Sequence, residues 1–231
     1  MSEAARPLSL VVISAGLSVP SSTRMLADRL AAATRDVLEA RGHPVDVAVI
    51  EVKDYAHDVV DATLTHFAGE RLQSAIDRLK TADGVIAVTP TFNLSYAGLF
   101  KSFIDVVDPG AFTGVPVLLA ATGGTARHSL AIDYTLRPLF TYLKADIVPL
   151  SVFAAAEDFG SPTTSHDTTP LNTRTTQAAT ILATRILHPT PTLATPAPSP
   201  TTDATPPLPQ ARTQDDFTDF IPMTDLLRPS P

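Results

Sequence analysis

The chain has 231 residues, of which 44% are hydrophobic, and a formal net charge of −7, which suits one α/β domain with a sizeable core and an additional segment. The negative charge argues against general nucleic-acid binding and against a basic membrane-binding surface, because both need clustered lysine and arginine. Cysteine is absent, which excludes disulfides and thiolate metal sites, and no secretory signal or membrane span is recognisable, so we expect a cytoplasmic protein.

Short apolar runs alternate with helical patterns from residue 8 to residue 187. The runs lack polar alternation, as is typical of strands buried on both faces, and they predict strands at 8–13, 44–52, 83–90, 115–122 and 145–153. Apolar residues three and four positions apart predict helices at 21–41, 67–80, 96–107, 126–143 and 171–187. We expect Pro90 to end the third strand and Pro138 to bend the fourth helix.

This alternation predicts a doubly wound α/β sandwich, in which a five-stranded parallel sheet carries helices on both faces. Ligands of such sheets bind beyond the carboxyl ends of the strands. The loops after the first, third and fourth predicted strands are therefore the candidate site.

The composition changes after residue 187. Residues 188–231 hold 11 of the 21 prolines, and proline removes backbone donors. We interpret residues 1–187 as the folded domain, 188–211 as a disordered linker and 212–231 as a tail. The tail segment FTDFIPMTDLL, residues 217–227, is apolar again, and we expect it to dock on this fold or on a partner.

The loop after the first strand reads SAGLSVPSSTR, residues 14–24. It contains neither a GxGxxG pattern nor a Gly-Lys-Ser/Thr triplet, yet it enters the N-terminus of a helix, where free N–H groups and the dipole favour an anion. The candidate residues are the polar ones that follow its glycine: Ser18, Ser21, Ser22, Thr23 and Arg24. They suit a phosphate monoester held without metal, although a single N-cap residue would also explain part of the pattern.

The loop after the third strand offers an aromatic ring and polar groups for a flat heterocycle; the candidate residues are Pro90, Thr91, Phe92, Asn93 and Ser95. The alternatives are that Phe92 packs in the core and that Ser95 caps the next helix. The loop after the fourth strand contributes Thr122, Gly123, Gly124 and Thr125, whose glycines allow close approach to a ligand or make a tight turn. We interpret His128 as a structural or interface histidine rather than a proton donor.

Three stretches, PSSTR, TPTFNLSYAGLFKSFID and TGGTARHSLAIDYTLRPLF, occur in this order and together resemble the NADPH-dependent FMN reductase family. The resemblance covers residues 8–187 and implies a flavodoxin-like fold with strand order 2-1-3-4-5. It implies FMN, with its phosphate on residues 18–24 and its ring between residues 90–95 and 122–125. The chain departs from the usual pattern at Phe92, which lacks a phenol.

The resemblance also implies that NADPH or NADH passes hydride to N5 of FMN, a step that requires no side-chain acid or base. The resemblance further implies a homodimer or homotetramer, as is usual in the family, and a flavin-dependent monooxygenase as a partner. A quinone or azo reductase and a non-enzymatic flavodoxin-type electron carrier remain alternatives. Arg127 is the candidate for a 2′-phosphate contact.

Overall fold

The computed structural model describes residues 6–160 and 170–189. Almost all of the predicted linker, and all of the tail with its apolar segment 217–227, lie outside the described residues. The division of the chain into these parts therefore stays a prediction.

The first half of the domain contains two strands connected by a long helix, followed by two shorter helices. Its elements are β1 (Leu8–Ser14), α1 (Ser22–Ala40), β2 (Val45–Glu51), α2 (Ala56–Thr65) and α3 (Glu70–Lys80). The predicted helix 21–41 is confirmed by α1, which ends before Gly42, a residue with a φ of +84° that suits glycine. Helix α2 was not predicted, because only Val59 and Ala62 of its ten residues are buried.

The second half contains the remaining strands and helices. They are β3 (Gly84–Phe92), β4 (Ser95–Tyr96), α4 (Gly98–Val106), β5 (Pro116–Gly123), α5 (Arg137–Tyr142), β6 (Asp146–Ile147), β7 (Val152–Ala155) and α6 (Leu171–Leu187). Helix α6 coincides with the prediction 171–187. The predicted helix 67–80 is shorter than expected, since α3 begins at Glu70.

In the described part of the chain, the sheet has seven strands in the order β2-β1-β3-β5-β6, with β4 antiparallel to β3 and β7 parallel to β5. The prediction of a parallel sheet is confirmed for its main strands, but the prediction of five strands in the order 2-1-3-4-5 is wrong in number. The predicted strand 145–153 is divided into β6 and β7, which both pair with β5. Pro149, which has no N–H to donate, lies between them.

Pro90 does not end the third strand, as predicted, because β3 continues to Phe92. The carbonyl of Val88 points towards β1, where it accepts from the Ala15 amide. The backbone of Pro90, two residues further along β3, is also directed towards β1. The ladder between β1 and β3 has already ended at Ser14 and Val88. No carbonyl of β1 therefore lacks a donor because proline has no N–H.

The predicted helix 126–143 is confirmed only in part, since continuous helical structure covers residues 131–142. A short 3-10 turn spans Ala126–His128, a π-helical turn spans Ile132–Leu136, and only α5 is α-helical. The Arg137 amide donates to the Ile132 carbonyl five residues back, and the following residue, Pro138, has no amide hydrogen. Proline therefore accompanies a change of helix type, and the bend at Pro138 stays a prediction.

Two hydrophobic layers cover the two faces of the sheet. Leu10 and Val12 pack with residues of α1 and α6 on one face, while Val11 and Ile13 pack with residues of α2 to α5 on the other. Because side chains alternate along a strand, Ser14 at the end of β1 lies on the α1 face. Polar groups at the carboxyl ends of the strands thus come under the N-terminus of α1.

Candidate functional site

The loop between β1 and α1, residues 15–21, enters the first turn of α1 with a hydrogen-bonded cap. The Arg24 amide donates to the Ser21 hydroxyl, 3.2 Å away. The amides of Ser22 and Thr23 have no intrahelical acceptor, because they belong to the first turn. A Cβ on Gly16 would lie 2.0 Å from the Ser21 Oγ, so the loop passes tightly around this cap.

The hydroxyls predicted to bind a phosphate fall into two groups. Ser21 and Thr23 are buried and bound within the fold, Thr23 through a 2.7 Å hydrogen bond to the Thr122 hydroxyl. Ser18 is exposed, Ser22 is partly exposed, and neither hydroxyl bonds to another described residue. Ser18, Ser22 and the first-turn amides are therefore the groups of this loop that remain available to an anion.

Arg24 already has two carboxylate partners. Its Nε donates to Asp28, 2.7 Å away, and its Nη1 donates to Glu51 at short range. The pKa of Arg24 is raised above its ordinary value, mainly by the hydrogen bond to Glu51 and to a smaller extent by the hydrogen bond to Asp28. Glu51 was not predicted as a site residue, although its place at the end of an apolar strand indicates a residue at the carboxyl edge of the sheet.

Two buried polar atoms at this edge lack partners in the described part of the chain, the Ser14 Oγ and the Glu51 Oε2. The two residues are register partners in the ladder between β1 and β2, and both lie on the α1 face by strand alternation. Unsatisfied buried polar atoms are rare in native proteins and often mark functional sites.

The β3–β4 hairpin, residues 91–96, replaces the loop predicted after the third strand. Thr91 pairs with Tyr96 and Phe92 pairs with Ser95, around a turn in which Asn93 and Leu94 have φ values of 51° and 63°. Two positive φ values in succession are the requirement of a type I′ turn. Phe92 is 49% exposed at this hairpin, so the alternative that it packs in the core is wrong.

The hairpin is anchored to the sheet by Thr89, which the sequence analysis did not single out. The Ala97 amide donates to the Thr89 hydroxyl, and this hydroxyl donates to the Pro90 carbonyl, both at 3.0 Å. The N-cap of α4 is Ala97, without a side-chain cap. The alternative in which Ser95 caps that helix is therefore wrong.

The two glycines at the end of β5 differ in their surroundings, since Gly123 is the last residue of the strand and Gly124 begins the loop. A Cβ on Gly123 would lie 2.8 Å from the ring of Phe153, whereas a Cβ on Gly124 would meet nothing within 4 Å. Packing against Phe153 explains Gly123, and Gly124 borders open space together with exposed Thr125. Thr122 is buried and bonded to Thr23.

The structure brings the three predicted stretches to one edge of the sheet. Thr122 connects them, since its hydroxyl bonds to Thr23 and its backbone is the register partner of Pro90. Anion-binding amides and free hydroxyls thus lie on the same edge as an exposed aromatic ring and an open glycine. This donor set fits FMN, which joins a phosphate to a flat ring system.

Two further features bear on the site. Among residues 6–160 and 170–189, no cluster of three or more His, Asp or Glu side chains could hold a metal ion, and no helix could cross a membrane. A cavity of about 410 Å³ between α2, α3 and the end of α4 is lined by none of the predicted site residues.

Comparison with known proteins assigns the chain. The family model described as NADPH-dependent FMN reductase matches residues 8–160. FMN reductase (NADPH) from Pseudomonas aeruginosa is 38% identical over 153 residues, covering 66% of this chain and 80% of that protein. The NADH-dependent FMN reductase SfnF of Pseudomonas fluorescens is 37% identical over 155 residues, covering 67% and 80%.

Solved structures agree. An oxidoreductase of Corynebacterium diphtheriae matches with a TM-score of 0.75 and 43% identity, over 80% of this chain and 99% of that one. A flavodoxin, WrbA-like protein from Agrobacterium tumefaciens shares only the fold, with a TM-score of 0.52 and 14% identity over 79% of this chain and 99% of that one. The chain has a flavodoxin-like α/β fold and belongs to the NADPH-dependent FMN reductase family.

Proposed function

We propose that this chain reduces FMN with NADPH or NADH, and that it binds FMN at the carboxyl edge of the sheet. The observation that supports this site is the hydrogen bond between Thr23 and Thr122, which holds the helix N-terminus beside the loop after β5. Family membership supports the reaction itself, because relatives are named as FMN reductases that use NADPH or NADH.

The phosphate binds at the first turn of α1. The amides of Ser22 and Thr23 and the hydroxyls of Ser18 and Ser22 donate to it, since these groups have no other partners in the described residues. The cap formed by Ser21 fixes the position of these amides.

The ring lies between the β3–β4 hairpin and the loop after β5. Phe92 offers a partly exposed aromatic face, and Gly124 lets the backbone approach because no side chain fills the space beside it. Bound FMN supplies the hydride acceptor. The residues of the chain orient the ring and leave one side open to the nicotinamide, and no side-chain acid or base is assigned.

The chain self-associates and passes reduced FMN to a flavin-dependent monooxygenase. Large exposed apolar side chains support an interface on this side of the domain: Phe92, Leu94, Leu130 and Tyr134. Such residues are enriched at subunit interfaces and cost solubility when left exposed. The experiment is sedimentation of the full chain with and without FMN; a monomer in both would contradict self-association.

The binding site is tested by titrating the full chain with FMN and with riboflavin, which lacks the phosphate. We expect Ser22→Ala to weaken FMN binding by about tenfold, because a hydrogen bond to a charged group is lost, and to leave riboflavin binding unchanged. Ser74→Ala, on the exposed side of α3, is the matched control. Equal effects on FMN and riboflavin would contradict a phosphate at this loop.

The reaction is tested by following NADPH and NADH oxidation with FMN present. FMN-dependent turnover supports a reductase. FMN binding without nicotinamide oxidation would instead identify an electron carrier, and turnover only with a quinone or an azo dye would identify the corresponding reductase.

A further inference from the structure

Glu51 is an unusual residue for the end of a strand that lies under a helix N-terminus. Its side chain is only 13% exposed. One carboxylate oxygen accepts from Arg24, and the other is buried without a partner in the described residues. The adjacent register partner, Ser14, also has a buried hydroxyl without a partner.

The fold alone does not require this carboxylate. Replacing a buried ion pair by packed apolar residues is often neutral or stabilising, and a buried oxygen without a donor is unfavourable. Arg24 is equally unusual, because a cation in the first turn of a helix opposes the helix dipole. The charge of Glu51 offsets the cost of a cation in the first turn, and the charge of Arg24 offsets the cost of burying a carboxylate. We therefore attribute the ion pair to the binding site rather than to the stability of the core.

The contacts of Arg24 place its charge towards β2. The guanidinium is held from two sides, by Glu51 at the strand end and by Asp28 one turn further along α1. Arg24 with its two carboxylates has a formal charge of −1, which opposes the approach of a phosphate dianion to the first-turn amides. Glu51 dominates this effect, since Asp28 is 53% exposed and screened by water.

We propose that Glu51 is a positioning residue that holds Arg24 away from the phosphate and thereby weakens the binding of the phosphate group, so that the flavin exchanges rather than staying bound. The inference rests on the proposed phosphate site at α1. It deepens that proposal by assigning opposite roles to two neighbouring charged residues. Arg24 attracts the phosphate, and Glu51 reduces this attraction by holding and partly neutralising the guanidinium.

The test measures dissociation constants of FMN and riboflavin for the full chain and for Glu51→Gln. We expect Glu51→Gln to bind FMN about fivefold more tightly, as expected for removing one charge near a dianion, and to bind riboflavin unchanged. Glu39→Gln removes the same charge from the exposed far end of α1 and is the matched control. Weaker or unchanged FMN binding by Glu51→Gln would overturn the inference.

Arg24→Gln, made in both backgrounds, tests whether Glu51 acts through Arg24. We expect Arg24→Gln to cost more FMN affinity in the Glu51→Gln chain than in the unaltered chain, because the ion pair with Glu51 no longer offsets the charge of Arg24 in the former. Equal losses would overturn a positioning role. If Glu51→Gln does not fold, Glu51→Asp decides, because a carboxylate one methylene shorter cannot hold Arg24 in the same place. Tighter FMN binding is expected, and weaker or unchanged binding would overturn the inference.

Failure of the underlying site gives a different result. If Ser22→Ala and the double variant Arg24→Gln, Glu51→Gln both keep the FMN-to-riboflavin affinity ratio of the unaltered chain, the phosphate does not bind at α1, and the proposed site falls together with this inference. If Ser22→Ala lowers that ratio while Glu51→Gln does not raise it, only the role of Glu51 is overturned.

Discussion

In the segment formed by the loop between β1 and α1 and the first turn of α1, Ser21 and Thr23 are buried and hydrogen-bonded, whereas in the β3–β4 hairpin Phe92 and Leu94 are 49% and 61% exposed. Both segments lie at the carboxyl edge of the sheet. The first obtains its shape from contacts within the fold. The second has its base anchored by Thr89, while its turn residues have left-handed backbone conformations.

The difference teaches how the two halves of the candidate site are built. An anion site must be preorganised, because its amides act only if they are held in position. A ring-binding surface and a subunit interface need apolar area on the outside of the fold, where it adds nothing to the stability of the isolated chain. Substitutions in the loop should therefore change stability and binding together, and those in the hairpin should separate them.

The largest effect is expected for Gly16→Ala. The new Cβ would lie 2.0 Å from the Ser21 Oγ and 3.2 Å from the Thr23 Cβ, so the cap of α1 must move. Overpacking and loss of the cap should lower the free energy of unfolding by about 3 kcal/mol, as measured by urea denaturation. Gly124→Ala is the control, since nothing lies within 4 Å of its Cβ; equal losses for the two variants would contradict the tight cap.

The second effect concerns the hydrogen bond that joins the loop to β5. Thr23→Val or Thr122→Val leaves one buried hydroxyl without a partner, which should lower the free energy of unfolding by about 2 kcal/mol. The double variant removes both hydroxyls and should be less destabilised than the sum of the two single variants. Strict additivity in urea denaturation would show that the two hydroxyls do not interact.

The same contrast explains how much the sequence could predict. Helices α1 and α6 were predicted almost to the residue, because local apolar spacing determines them. The hairpin was missed because its turn reads Asn93-Leu94, without the glycine that usually follows asparagine in a type I′ turn. The π-helical turn was missed because apolar spacing does not distinguish it from an α-helix. It is defined by the hydrogen bond from the Arg137 amide to the Ile132 carbonyl, five residues back.

The location of the candidate site could be predicted from the sequence, whereas its side-chain contacts could not. Strand order brings the three stretches together, and this could be inferred from the alternation of strands and helices. The partner of each polar side chain could not be inferred, since Arg24 meets a carboxylate 27 residues away and Thr23 meets a hydroxyl 99 residues away. Such contacts depend on the packing of α1 against the sheet.

In the hairpin, Phe92→Ala should separate binding from stability. The side chain is about half exposed, so its loss should change the free energy of unfolding by less than about 0.5 kcal/mol. Loss of an aromatic surface beside a ring should weaken flavin binding by about tenfold, for FMN and riboflavin alike. Tyr142→Ala, another exposed aromatic residue, is the control; an effect on FMN but not on riboflavin would contradict ring stacking by Phe92.

The smallest effect is expected for Leu94→Gly. A leucine with a φ of 63° is strained by about 1 kcal/mol, and glycine removes this strain but gains freedom in the unfolded chain. We therefore expect a net rise of about 0.5 kcal/mol in the free energy of unfolding. Leu94→Ala keeps the strain and removes the side chain, so a rise for alanine as well would assign the effect to the exposed side chain. If Leu94→Gly stabilises the monomer but weakens self-association in sedimentation, the leucine side chain contributes to an interface, and this contribution explains why a strained residue occupies the turn.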